Sequence, residues 1–93
     1  MSVALDPAAR PRLARGVRLR EDRTRGGFVL LAPERVLTVN AVAVEILKRC
    51  DGERTLSAIV DDLAKVFGAD RARVAADVGA LLADLAGKRM IEL

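Results

Sequence analysis

Two features of this sequence bear on covalent or acid–base chemistry: a lone cysteine, Cys50, and an adjacent carboxylate pair, Asp61-Asp62. A thiol becomes a nucleophile only where something holds it deprotonated, and two carboxylates act as acid and base only where they converge on one reacting atom. Neither condition is favoured here. Cys50 falls at the apolar-facing end of a helix-forming stretch, where it reads as a small core residue. Neighbouring positions on a helix do not face each other, so Asp61 and Asp62 suit a solvated face. The chain has no histidine, tyrosine, tryptophan or second thiol, so neither the commonest general base nor a zinc or iron–sulfur ligand set can be assembled. Gly26-Gly27 lies between two strand-like stretches with no helix after it, which excludes a phosphate-cradling loop. The sequence therefore predicts no enzyme, no metal and no cofactor. What remains is binding.

At 93 residues the chain is expected to form a single domain. Such a chain buries only about 60–65% of its unfolded surface, which makes the core thin. With 52% apolar residues and only Phe28 and Phe67 as aromatics, that core must be aliphatic. The net charge of +3 comes from the front of the chain: residues 1–27 hold seven arginines against three acids, whereas residues 28–93 hold nine bases against ten acids. One cysteine permits no intramolecular disulfide, which suits a reducing cytoplasm. Apolar runs such as Phe28 to Ala32 fall far short of the roughly 20 residues a membrane span requires. No apolar segment follows the first arginines as a secretory signal would need. A cytoplasmic location is expected.

The elements that must position any binding face follow from periodicity. Residues 1–16, with Pro7, Pro11 and Gly16, show no sustained pattern and read as a flexible N-terminal arm, leaving residues 17–93 as the domain. Val17 to Asp22 alternates apolar and charged residues, Phe28 to Leu31 is a compact apolar strand, and Arg35 to Val39 follows a turn at Pro33-Glu34. Three short strands with tight connections predict an antiparallel meander. From Asn40 the period becomes helical. Asn40, Thr55 and Asp70 are candidate N-caps, and Gly52 and Gly68 candidate stops. The expected inner stripes are Ala43, Ile46, Leu47 and Cys50, then Leu56, Ile59, Val60, Leu63 and Phe67, then Val74, Val78, Leu81, Leu82 and Leu85. A short extended segment, Met90 to Leu93, closes the chain, against a sheet edge or the core. The fold class is α+β, a three-stranded antiparallel sheet followed by a three-helix bundle.

Two places invite a partner. The third strand carries one charge, at Arg35, and no proline, so its edge is less guarded than the first strand's with Arg18, Arg20, Glu21 and Asp22. An extended peptide can lengthen the sheet there, unless the C-terminal segment or a second copy covers it. On the third helix, Ala72, Ala76, Gly79, Ala83 and Ala86 form a stripe of small residues. A mid-helix glycine costs about 1 kcal/mol relative to alanine, so Gly79 calls for close approach of another backbone, either a neighbouring helix or a strand laid on a shelf.

Leu31, Pro33-Glu34, Asn40, Ile46-Leu47, Cys50-Asp51-Gly52, Thr55, Ile59-Val60 and Asp77-Val78, with Pro11-Arg12-Leu13 and Arg18, resemble the PqqD family of pyrroloquinoline quinone biosynthesis in order and spacing, from about residue 11 to 92. The sequence departs from that pattern at Val39 and in a more basic Lys88-Arg89-Met90-Ile91. The resemblance implies a winged-helix-like peptide chaperone, a RiPP recognition element. Such a protein binds the ribosomally made precursor PqqA and presents it to the radical SAM enzyme PqqE. It further implies that the peptide adds as a strand at Arg35, Val36, Leu37, Thr38 and Val39 and lies near Val74, Asp77, Val78 and Leu81 of the third helix.

Two rival functions remain at this level. A winged-helix DNA-binding domain has a similar order of elements, but its third helix wants Lys, Arg, Asn or Gln, and this one offers Asp70, Asp77 and Asp84 with no amide. A self-associating subunit, a homodimer through the third strand, is the other. Neither nucleic acid nor a membrane is the expected partner.

Overall fold

The computed structural model describes residues 5–93. The order of elements is β1 (Arg12–Leu13), β2 (Arg18–Glu21), β3 (Phe28–Ala32), β4 (Arg35–Val39), α1 (Ala41–Lys48), α2 (Leu56–Phe67), α3 (Arg71–Gly87) and β5 (Ile91–Glu92). Strands β2, β3 and β4 form an antiparallel meander with β3 in the centre, as three short strands with tight connections predict. Gly26 and Gly27, at φ 80 and 77, make the turn between β2 and β3 that residues with a side chain adopt reluctantly. The Asp22 carboxylate accepts from the N–H groups of Thr24 and Arg25 in the same loop.

Local capping explains where the helices start. Asn40 Oδ1 accepts from the Ala43 N–H at 2.8 Å, and Thr55 Oγ1 from the Ala58 N–H at 3.1 Å. Asp70 holds the N-cap position of α3 without a side-chain cap bond, so that expectation fails in its chemistry while the boundary stands. Gly68 ends α2 in the left-handed conformation, as predicted, but α1 ends at Lys48 with Arg49 as its C-cap, three residues before Gly52. Gly52 instead turns the chain after Asp51, whose carboxylate accepts from the N–H groups of Glu53 and Arg54.

The core is aliphatic. Leu30 from β3, Ile59 and Leu63 from α2, Val78 and Leu82 from α3, and Met90 are all fully enclosed. Each such side chain contributes on the order of 1.5–3 kcal/mol by leaving water. Phe67, expected in the α2 stripe, is 42% exposed: it occupies the last helical turn, where the stripe has run past the elements that cover it. Arg49 ties α1 to α2 by bonding Glu45 Oε1 at 3.1 Å and Asp62 Oδ2 at 2.5 Å. The guanidinium holds both carboxyls below their usual range.

The front of the chain departs from the expected arm. After a turn at Pro7-Ala8, residues 9–14 lie against the domain. Pro11 is fully buried, and Arg12–Leu13 pairs antiparallel with Ile91–Glu92. Backbone bonds from Gly52, Leu56 and Ser57 to the carbonyls of Pro11, Ala9 and Pro7 fasten the segment to the α1–α2 connection and the first turn of α2. The C-terminal segment is therefore β1's partner, not a fourth strand of the meander. No helix among the described residues is long and apolar enough to cross a membrane.

Candidate functional site

The register of the β3–β4 hairpin decides what its edge presents. Ala32 and Arg35 flank a two-residue turn and pair with each other, so they must exchange both backbone bonds. Alternation then assigns Leu37 and Val39 to bond Leu30 and Phe28, and it turns the N–H and C=O groups of Val36 and Thr38 away from β3. On the other side of β3, Val29 and Leu31 are left for β2, which the bond from Asp22 N–H to Gly27 C=O at 2.8 Å independently requires. β4 has no second neighbour among the described residues. Val36 is 65% exposed, and Thr38 is exposed with it.

Side chains on β4 divide by parity. Leu37 and Val39 are half-buried against the core, while Val36 and Thr38 look outward beside Val29 and Leu31 of β3. Arg35 shares the inward face but lies at its exposed end, in a hollow that Lys88 also lines. The start of β4 thus neighbours the C-terminal end of α3.

Of the four α3 residues expected at the contact, Val74 and Val78 point into the core, Val78 with only 1% exposure. Their role is to seat the helix. Asp77 is exposed and Leu81 half-buried, and at i,i+4 they share one flank. Gly79 lies on the opposite flank, since two residues separate it from Asp77 by about 200° around the helix. A Cβ placed on Gly79 would meet nothing within 4 Å, so no neighbouring helix explains this glycine. The small residues Ala76, Gly79 and Ala83 instead line an apolar groove of about 500 Å³ with Leu5, Pro7, Leu56 and Val60. No residue of β4 lines this groove, so the small-residue stripe and the free strand edge are separate features of the fold.

The residues with chemical potential are all engaged structurally. Asp61 pairs with Arg71 and Asp62 with Arg49, so the two carboxylates diverge. The Cys50 thiol is buried and donates to the Ile46 carbonyl at 3.3 Å. Burial pushes its pKa up to about 12, so at neutral pH the thiol stays protonated and a poor nucleophile. Native protein is accordingly expected to resist iodoacetamide at pH 7.5 over hours and to label within minutes in denaturant. Equal labelling rates in both states would refute this placement of Cys50. No cluster of three or more His, Cys, Asp or Glu side chains suited to a metal occurs among the described residues. The solvent side of α3 carries Arg73, Asp77, Asp84 and Lys88, with Lys88 bonded to Asp84 at 2.8 Å, so it offers a duplex no net attraction.

Comparison with known proteins adds to this geometry. The family model described as coenzyme PQQ synthesis protein D (PqqD) matches residues 27–91. A Rhodopseudomonas palustris (strain BisB5) protein named PqqA binding protein is 52% identical over 87 residues, covering 94% of this chain and 85% of the relative. The solution NMR structure of the PqqD truncation of Methylobacterium extorquens PqqCD, described as a stand-alone RiPP recognition element, superposes with a TM-score of 0.77 at 45% identity, covering 96% of this chain and 100% of that one. The crystal structure of PqqD from Xanthomonas campestris gives a TM-score of 0.61 at 39% identity, with 96% and 99% covered.

Proposed function

The chain belongs to the PqqD family, and from that premise we propose that it binds the precursor peptide PqqA as an added strand along β4 and presents it to the radical SAM enzyme PqqE. The observation that carries this reading is the unpaired backbone of Val36 and Thr38 on a strand with a single charge. A peptide strand laid there gains main-chain bonds, with specificity left to alternate side chains. Asp77 and Leu81, on the α3 flank away from the small-residue groove, are the helix residues available to it; Val74 and Val78 act from beneath. The chain itself contributes no catalytic group, and the bond-forming chemistry belongs to PqqE. The buried, unpaired thiol of Cys50 is compatible with the reducing cytoplasm in which this exchange would take place.

Each backbone bond nets about 1 kcal/mol, and ordering a flexible peptide offsets much of the gain. A complex in the micromolar range, around 8 kcal/mol, is expected, weak enough to pass its cargo on. Titrating PqqA into labelled protein, with amide shifts followed by NMR, tests the site. The largest shifts are expected at 35–39 and around Asp77 and Leu81. Shifts confined to the groove around Gly79 would sink strand addition at β4 while leaving peptide binding intact. Concentration-dependent shifts at 35–39 without peptide would instead identify a second copy as the occupant of the edge.

A further inference from the structure

Arg15, Arg35, Lys88 and Arg89 reach one hollow of about 310 Å³ from three separate stretches of chain: the β1–β2 connection, the β3–β4 hairpin and the end of α3. Val17 and Met90, both buried, form its floor, and Glu34 is the only acid among the described residues that line it. Lys88 is tied to Asp84 at 2.8 Å. Arg15, Arg35 and Arg89 make no ion pair among the described residues.

Basic residues at the end of a helix complement the negative pole of its dipole, and that alone accounts for Lys88. It does not account for Arg89. This residue ends α3 at φ 62, with its N–H bonded to the Ala86 carbonyl at 3.0 Å and the Met90 N–H bonded to the Leu85 carbonyl at 2.9 Å. The left-handed position in that closing motif is one where glycine is conformationally cheapest. Keeping a long cationic side chain at a strained backbone position points to a use for the guanidinium.

We propose that this hollow seats one acidic side chain of the strand that pairs with β4, making it a carboxylate subsite that fixes the register of the bound peptide. The inference rests on the strand-addition reading above. A strand bonded to Val36 and continuing toward the hairpin advances about 3.3 Å per residue, so its next residues pass beside Arg35. A carboxylate there meets exposed guanidinium groups beside an apolar floor, and charge-assisted bonds from them would fix its position. The hollow has no aromatic lining on which a base would stack, which disfavours a single-stranded nucleic acid as its occupant.

The test uses the full chain and the PqqA peptide, unaltered and with each Asp or Glu changed in turn to Asn or Gln. Arg15→Gln and Arg89→Gly are each expected to weaken binding about 5-fold, and Glu34→Gln to strengthen it by about 2-fold. One particular acid-to-amide peptide should lose a similar factor against the unaltered chain and lose little more against Arg89→Gly. Arg89→Gly should also raise the melting midpoint, by on the order of 4 °C, because it relieves the backbone while removing the charge. Stability and binding then move in opposite directions, which a purely structural Arg89 cannot produce. If the three variants bind as the unaltered chain does, or if every acid-to-amide peptide weakens binding equally, the subsite is refuted while strand addition stands. Displacement of the peptide by a short single-stranded oligonucleotide at equal potency would also overturn it. Failure of unaltered PqqA to bind removes the subsite and the parent reading together, and that result is separable from the others because it appears before any variant is made.

Discussion

Val36→Pro is expected to bind PqqA at least about 10-fold more weakly than the unaltered chain while remaining folded. Proline removes the backbone donor and puts a ring where a partner strand must approach. The Val36 N–H faces away from β3, so the hairpin keeps its own bonds. The residue before a proline is driven to extended backbone, and Arg35 is already in a strand. Two controls bracket the effect. Val36→Ala keeps the donor and should change affinity by only about 2-fold, whereas Leu37→Pro removes a bond to Leu30 and should disrupt the sheet. Isothermal titration beside an amide spectrum of each variant reads both properties. A folded Val36→Pro variant with undiminished affinity would mean that the peptide docks elsewhere.

The largest stability effect is expected from Leu82→Ala, a loss of about 2–5 kcal/mol. Leu82 is completely enclosed in α3, the helix that packs against both α2 and β5, so the lost side chain leaves a cavity that the surrounding aliphatic core can only partly collapse into. A domain of this size is stable by roughly 5–15 kcal/mol in total, so a midpoint drop of more than about 10 °C should follow. Chemical denaturation with an unchanged slope is the check, and a loss below about 1 kcal/mol would contradict this packing.

The sheet and the helices were legible because their patterns are long enough to repeat. Two-residue alternation marked β2, a compact apolar run marked β3 and the turn at Pro33-Glu34 introduced β4, while the 3.6-residue stripes marked α1 to α3, with Asn40 and Thr55 announcing two of the starts. Membership of the PqqD family was legible too, in the spacing from Pro33-Glu34 to Asp77-Val78. What was not legible depends on partners distant in the chain. β1 has two residues, too few for any period, and its pairing partner lies at the far end of the sequence. Phe67 continues the α2 stripe faultlessly, yet nothing in a stripe says where the covering elements stop. The small residues of α3 advertised an open flank without saying which neighbour it adjoins, and the fold puts them beside Leu5 and Pro7 and not beside β4. Arg89 gives no sign of its backbone conformation, because the residue that would have signalled it, a glycine, is absent. The basic hollow around Arg35 exists only once three stretches of chain have met.

The pairing of Arg12–Leu13 with Ile91–Glu92 also sets an order of events in time. Arg12 and Glu92 are 80 positions apart. Hairpins and helices form in roughly microseconds from neighbouring residues, whereas this clasp has almost the whole chain as its loop and gains little until the rest is in place. It should therefore close last. Two residues long and ending in an exposed ion pair, it should also open first, as a sub-global fluctuation well short of unfolding. Arg12 also forms an isolated β-bridge with Asp51, so the same segment that closes on the C-terminus also lies along the connection between α1 and α2. Release of the two ends is then an event separate from melting of the core in which Cys50 lies.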